Sequence, residues 1–366
     1  MQLAFAITEY FPFGGAQRDF FAVASEMARR GHQITVVTAA WHGDFPDGWQ
    51  KVIVDKKQFR TNHARLRALS DTLLAFQANK TFDAIIGFTK MAGLDIYFAA
   101  DPSFVANRYR GLKKLLPRYR TYAGIEKQMF ANTDLKVFFL TETQQAQYLQ
   151  HFPLPAAQQS LLPVTVEAEF HFDQAKFNAG RNWRGQQQPE KGRKVLLFVA
   201  ADFHTKGLDR VITALKMLKR EQRDKLALWV VGNGRQADYE PALQKLSGLH
   251  YKFWGGQTST ALFYFAADLL IHPARKEAAG MVIAEALAAH LPVVISDICG
   301  YRFLAADDPA SSILPKHDWP RALVDQLRSA AKTDGALPRG QGSAKISDRP
   351  RAGFCADQIE NWLNHG

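Results

Sequence analysis

Residues 272–286 read HPARKEAAGMVIAEA. The run LLIH at 269–272 has the length and branching of a buried strand, and the polar turn Pro273, Ala274, Arg275, Lys276, Glu277 follows it. The small residues Ala278, Ala279 and Gly280 then introduce a helix that starts near Met281 and ends near Ala289, before a second strand-like run, VVIS, at 293–296. A strand, a loop, a helix and a strand in this order predict a parallel sheet flanked by helices, with ligands at the carboxyl ends of the strands. The helix start would offer the backbone N–H groups of Gly280, Met281, Val282 and Ile283 to an anion such as a phosphate. Glu277 precedes the helix and Glu285 lies more than one turn inside it, so the two do not form an adjacent helical pair. An ionised carboxylate only accepts hydrogen bonds, which suits Glu277 to sugar hydroxyls and Glu285 to ribose hydroxyls. Ordinary helix-surface glutamates are the other reading.

The same pattern extends outward in both directions. VLLFVA at 195–200 precedes a helix over 208–218 and a strand, ALWVV, at 227–231. In the front half QLAFAIT at 2–8 is the first strand, a helix over 20–30 carries Phe21, Ala24 and Ala28 on one face, and Gly31-His32 stops it before QITVVT at 33–38. Further strands are expected at 51–54, 83–87, 95–99 and 136–140. A chain of 366 residues, 47% apolar, is too long for one ordinary core and supplies two. The expected architecture is α/β with two Rossmann-like domains facing across a cleft: 1–165, 166–352, and a terminal helix in 353–366 that packs back on the first.

Three further segments carry chemistry. In YFPFGGAQRD at 10–19, the adjacent Gly14 and Gly15 allow close backbone approach to a ligand, although the segment is not the GxGxxG fingerprint and also reads as a tight turn. Asp19 falls in the expected first turn of the helix, where a carboxylate aids capping in any protein. In ADFHTKG at 201–207, Lys206 leaves a strand end beside Gly207 and could neutralise a diphosphate, or be an ordinary solvated lysine. In VVGNG at 230–234, Gly232 suits close ligand approach without specificity.

The formal charge of +11, from 46 Lys and Arg against 35 Asp and Glu, favours anionic partners. Seven of those bases lie in NRYRGLKKLLPRYRTYAGIEKQMF at 107–130, where Leu115, Tyr119, Tyr122, Ile125 and Met129 recur near helical spacing. This composition suits an anionic membrane surface and also a core helix with a solvated basic side. Nucleic acid is not expected, because no binding module accompanies the patch. Cys299 and Cys355 match no ligand spacing or redox pair, so a reducing compartment is expected. Residues 1–5 run directly into the first strand, which argues against a secretory signal, and no apolar run reaches about 18 residues.

YFPFGGAQRDF at 10–20, FTKMAGLDIYFAADPSF at 88–104 and RKEAAGMVIAEALAAHLPV at 275–293 together resemble the retaining GT-B glycosyltransferases of family 4, most closely their lipopolysaccharide-core glucosyltransferase group. The resemblance covers nearly the whole chain and includes the family's two glutamates eight positions apart, Glu277 and Glu285. It implies transfer of glucose from UDP-glucose to an inner-core heptose with retention, on the cytoplasmic face of the inner membrane, with 107–130 as the membrane-interacting region. It also implies Gly14 and Gly15 near the diphosphate and acceptor, Lys206 on phosphate, Glu277 on the donor sugar, Glu285 on ribose, and Ala278 to Ile283 as backbone donors. Asp101 stands where many related transferases have histidine, and Asp19 resembles their acidic residue near the acceptor.

The family arginine several residues before Lys206 has no match, and Thr205 stands where relatives have a second basic residue, so the phosphate charge is expected to fall on Lys206, Arg275 or the helix N–H groups in a different balance. No D-x-D motif occurs, and metal-independent donor binding without a further cofactor is expected. N-acetylglucosamine, N-acetylgalactosamine or galactose as donor sugar, another glycolipid acceptor, and a non-catalytic nucleotide-sugar-binding protein are the competing readings. Oligomeric state is not legible in the chain.

Overall fold

The computed structural model describes residues 1–12, 14–54, 61–107, 114–187, 192–335, 337–347 and 349–365. The chain divides into two compact units, one formed by Met1–Pro163 with Arg349–Gly366 and the other by Val164–Asp348.

The first unit is built on a parallel sheet of β1 (Gln2–Ala6), β2 (Gln33–Thr38), β3 (Gln50–Ile53), β4 (Ala84–Gly87), β5 (Ile96–Ala99), β6 (Lys136–Phe139) and β7 (Gln159–Leu161), in the order β3-β2-β1-β4-β5-β6-β7. Its central strands are buried on both faces, which is why QLAFA, AIIG, IYFA and KVFF read as apolar runs without alternation. The strand order reverses between β1 and β4. The loop carrying Gly14 therefore leaves the sheet beside a topological switch point, where such sheets open a crevice for ligands.

The first helix begins at Gly15, five residues earlier than the apolar periodicity implied, with Gly14 as its N-cap. Asp19 consequently lies beyond the first turn and is not a capping residue. Its two carboxylate oxygens each accept from Nη1 of the buried Arg351 at 3.1 Å. Arg351 opens the C-terminal helix Arg351–His365, which packs on the first helix through several more charges. Arg30 donates to Glu360 at 2.6 Å and pairs with Asp357 at 2.7 Å, and His32 Nε2 meets Glu360 at 2.9 Å. Trp362 adds ring contact with Phe138, centroids 4.7 Å apart, and donates from Nε1 to the Ala157 carbonyl at 3.0 Å.

The second unit opens with β8 (Val164–Thr165) and contains β9 (Lys194–Val199), β10 (Leu226–Val231), β11 (His250–Gly255), β12 (Leu269–His272), β13 (Val293–Ser296) and β14 (Ser312–Leu314). These six strands form a parallel sheet in the order β11-β10-β9-β12-β13-β14, while β15 (Ile346–Ser347) pairs with β8. The reversal here lies between β9 and β12, whose register sets Leu269 opposite Leu196. The start of that pair is fixed by the buried Asp268, which accepts from Val195 N at 2.8 Å, Arg181 Nη1 at 2.8 Å and Arg184 Nη1 at 2.7 Å. Three donors on one carboxylate compensate its removal from water. Leu196, Phe198, Val211, Leu215, Leu228, Ile271 and Leu327 fill the core beneath the sheet.

Cys299 and Cys355 are buried free thiols, and burial pushes that of Cys299 up to about 12.

The tie between the first and last helices sets a stability test. Arg351→Ala removes a buried guanidinium and leaves Asp19 without two charge-assisted contacts, so the denaturation midpoint of the first unit should fall by the equivalent of about 1–3 kcal/mol. An unchanged midpoint in a urea titration would sink this account of the tie.

Candidate active site

The loops after β9 and β12, the two strands at the switch point of the second unit, bring the expected charges together. After β9, Asp202 caps the short helix Phe203–Lys206: its Oδ1 accepts from Thr205 N at 3.0 Å and its Oδ2 from Thr205 Oγ1 at 2.7 Å. Thr205, which stands where a second base was expected, thus closes the cap and holds the turn from which Lys206 projects. Lys206 Nζ lies 2.8 Å from Glu277 Oε2 and 3.4 Å from the Lys276 carbonyl.

The same Glu277 oxygen meets His272 Nε2 at 2.9 Å. His272 ends β12 and is buried, as Glu277 largely is. Burial alone would raise the Glu277 carboxyl, but the hydrogen bond and charge of His272, followed by the charge and hydrogen bond of Lys206, bring it down to about 2. The result is an ionised carboxylate held at the strand ends by groups from both loops.

Arg275 does not point in the same direction. Its Nη1 and Nη2 form a two-pronged pair with Asp209 at 2.6 and 2.5 Å, and Nη1 also donates to the His204 carbonyl at 2.8 Å. Against its own burial, this contact holds the Asp209 carboxyl below its usual range. Arg210 donates to the carbonyls of Pro273 and Ala274, both at 3.1 Å, and its guanidinium lies 4.5 Å from the Trp319 ring centre. Two arginines therefore stitch the β12 loop to the segment after β9, including the helix Leu208–Lys216 that carries Asp209 and Arg210, and the Lys206–Glu277 pair is set between them. Arg275 thus clamps its own loop to the segment after β9.

The helix Met281–Ala288 starts where the sequence placed it. Gly280 is its N-cap at φ +97°, a left-handed conformation that a side chain would strain, and an added Cβ would lie 2.8 Å from Ile283 Cδ1. Of the expected backbone donors, the N–H of Ile283 is turned onto the Gly280 carbonyl at 2.8 Å. Ala278 belongs to the turn between Glu277 and the helix, and Met281 and Val282 occupy its first two positions. Glu285 is buried one turn further in and accepts from Tyr264 Oη at 2.7 Å. Gly232, at φ +133°, follows β10 where a Cβ would fall 1.7 Å from the Ala200 carbonyl oxygen. Close packing of two strand ends is reason enough for glycine there.

In the first unit Gly14 has extended backbone and Gly15 opens the helix. A Cβ on Gly14 would meet Gln17 Oε1 at 1.9 Å, whereas one on Gly15 would meet open space. Asp101 follows β5 with its side chain exposed, and its carbonyl accepts from Tyr148 Oη at 2.8 Å and Gln144 Nε2 at 3.1 Å.

The basic stretch falls partly outside the described residues, since 108–113 are not among them. The remainder forms the helix Pro117–Phe130, which buries Thr121, Ala123, Ile125, Glu126 and Met129. The face expected from spacing is thus divided: Ile125 and Met129 enter the core, Tyr119 and Tyr122 lie against Phe104, and Leu115 is 67% exposed. Glu126 accepts from Phe104 N at 2.9 Å and Val105 N at 2.7 Å, capping the short helix Phe104–Asn107.

Sequence reasoning missed His272, Asp202 and Asp209. Asp202 was detectable, because D-x-x-T ahead of a glycine is a capping signal. The contacts of His272 and Asp209 join separate segments and leave no periodic trace. Among the described residues, no group of three or more His, Cys, Asp or Glu is placed to hold a metal ion.

Residues 180–341 match the family described as glycosyl transferases group 1. The lipopolysaccharide glucosyltransferase WaaG of Escherichia coli (strain K12) is 35% identical over 337 residues, covering 90% of this chain and 89% of that one. A crystal structure of WaaG superposes with a TM-score of 0.81 at 31% identity, covering 100% of this chain and 95% of the other. Sucrose-phosphate synthase from Thermosynechococcus elongatus has a TM-score of 0.69 at 16% identity over 100% of both chains, a likeness of fold alone.

The depressed carboxyl gives a pH test. The Glu277 carboxyl titrates at about 2 in the folded chain, against an ordinary value of 4.5. Its contribution to stability is therefore fully present above the ordinary value and is lost as pH falls through the folded one. The stability advantage of the wild type over Glu277→Gln, measured by chemical denaturation, should be constant near neutrality and shrink steadily below about pH 4.5. A pH-independent difference would show that the carboxylate is not held in this way.

Proposed function

The chain belongs to the group 1 glycosyltransferases, retaining sugar transferases of the GT-B fold that use nucleotide-sugar donors, and from that premise we propose that it moves glucose from UDP-glucose to an inner-core heptose of lipopolysaccharide, forming an α linkage. The observation that carries the reading is the Lys206–Glu277 pair, 2.8 Å apart at the switch point and beside the helix start at Gly280. One member is a cation suited to a leaving diphosphate, and the other is an acceptor-only group suited to sugar hydroxyls. The glucosyl group and the lipopolysaccharide acceptor are proposed from the relative that matches nine-tenths of the chain, and the heptose, the uridine diphosphate and the α linkage from the family resemblance.

In this scheme the bond between the anomeric carbon and the diphosphate oxygen breaks while the acceptor hydroxyl attacks from the same face. Its proton passes to the leaving diphosphate. The positive end of the helix Met281–Ala288 and the Lys206 ammonium stabilise the charge that develops on that group. Glu277 orients the donor sugar through its hydroxyls, and Glu285 takes the ribose, with Tyr264 fixing its carboxylate. Gly14, Gly15 and Asp101 bound the acceptor side, as the family resemblance implies, with Asp19 oriented by Arg351.

Radiolabelled UDP-glucose and a heptose-terminated lipid acceptor test the reaction directly. Glu277→Ala and Lys206→Ala should each lower kcat/KM by about a hundredfold or more with the fold intact. Transfer only from UDP-N-acetylglucosamine, UDP-N-acetylgalactosamine or UDP-galactose would replace the proposed sugar, and donor hydrolysis without a glycosylated product would refute transfer.

We further propose that the chain works on the cytoplasmic face of the inner membrane and attaches through residues 107–130. No helix among the described residues is long and apolar enough to cross a membrane. Leu115 and Leu116 are 67% and 48% exposed, next to the exposed bases Lys114, Arg118 and Arg120. Apolar side chains ringed by lysine and arginine favour an anionic bilayer surface. In vesicle sedimentation, binding should require anionic lipid and weaken about tenfold in an Arg118→Glu/Arg120→Glu variant. Equal, negligible binding to neutral and anionic vesicles would remove the proposal.

A further inference from the structure

His272 has no part in the scheme above, yet its ring is buried with one polar attachment. Nε2 meets Glu277 Oε2 at 2.9 Å, while Nδ1 is buried without a hydrogen-bond partner among the described residues. Lys206 Nζ approaches that same oxygen at 2.8 Å. Both donors thus converge on one atom, and the two differ in freedom. Lys206 sits at the end of a flexible four-carbon stem and is a quarter exposed, whereas the imidazole is fixed at a strand end with two side-chain torsions.

If Lys206 is to neutralise a diphosphate, its ammonium must turn away from Glu277. A buried carboxylate stripped of its partner is costly. We infer that His272 is a positioning residue that holds the Glu277 carboxylate in place when Lys206 turns from it to the donor diphosphate. The inference rests on the proposed assignment of Lys206 to phosphate. Lys206 then exchanges one anion for another, and the imidazole keeps Glu277 ionised and aimed at the sugar throughout.

UDP alone is the discriminating probe, because it draws Lys206 away without bringing the sugar hydroxyls that would satisfy Glu277. Affinity for UDP is measured by calorimetry on the full chain, with a cooperative thermal melt required of each variant. His272→Phe, which fills the site but donates nothing, should weaken UDP binding about tenfold, and His272→Gln, whose amide can donate in place of Nε2, should stay within about threefold of wild type. In a Glu277→Gln background there is no buried charge to strand, so adding His272→Phe should change UDP affinity by less than about twofold. If His272→Phe does not melt cooperatively, His272→Asn, with an amide too short to reach Oε2, replaces it in both backgrounds.

An equal loss in both backgrounds would assign His272 to packing and overturn the inference, as would unchanged UDP binding in His272→Phe with Glu277 present. The assignment of Lys206 is read separately: Lys206→Ala binding UDP as tightly as wild type would overturn that reading, whatever the histidine variants do.

Discussion

One largely buried carboxylate, Glu277, organises the second unit's strand ends. Glu277 has lost most of its water and remains ionised because His272, from the end of β12, and Lys206, from the loop after β9, both donate to it. Removing an ion from water costs several kcal/mol unless such partners replace the solvent, so the carboxylate constrains where both loops can run. The arginines reinforce that constraint. Arg275 reaches across to Asp209 and the His204 carbonyl, and Arg210 reaches back to the carbonyls of Pro273 and Ala274. The β12 loop is thus tied to the helix Leu208–Lys216 by a base from each side.

This arrangement bears on how positive charge serves a transferase without clustering uselessly. Of the bases near the switch point, Arg275 and Arg210 are bound to chain groups, and Lys206 rests on a carboxylate. Arginine, planar and many-pronged, suits a permanent tie, and lysine, a compact charge on a flexible stem, suits an exchange of partners. The residue types match the two tasks.

Much of the fold was legible because parallel strands buried on both faces leave apolar runs. QITVVT, LLIH and VVIS were placed at the boundaries the structure gives them. The helix Asn62–Ala78 escaped notice because its apolar residues form only a weak stripe, and β11 because HYKFWG is half exposed and mixes polar with aromatic residues. At the site, Lys206, Glu277 and Gly280 stood out because small residues and charges cluster after strands. Their partners did not, since Asp209 meets Arg275, and Arg351 meets Asp19, only once distant segments pack. Asp19 shows the limit most clearly: its position in a helix was evident, but its ion pair lies 332 residues away in sequence.

That distance has a consequence for synthesis. The partner of the first helix is encoded after the whole of the second unit, which makes that unit, in topological terms, an insertion within the first. In a nascent chain Asp19, Arg30 and His32 lack their partners in the closing helix until that segment is made, by which time residues 164–348 have already been made. The sequence of the second unit is therefore complete before that of the first, and the first unit is closed last.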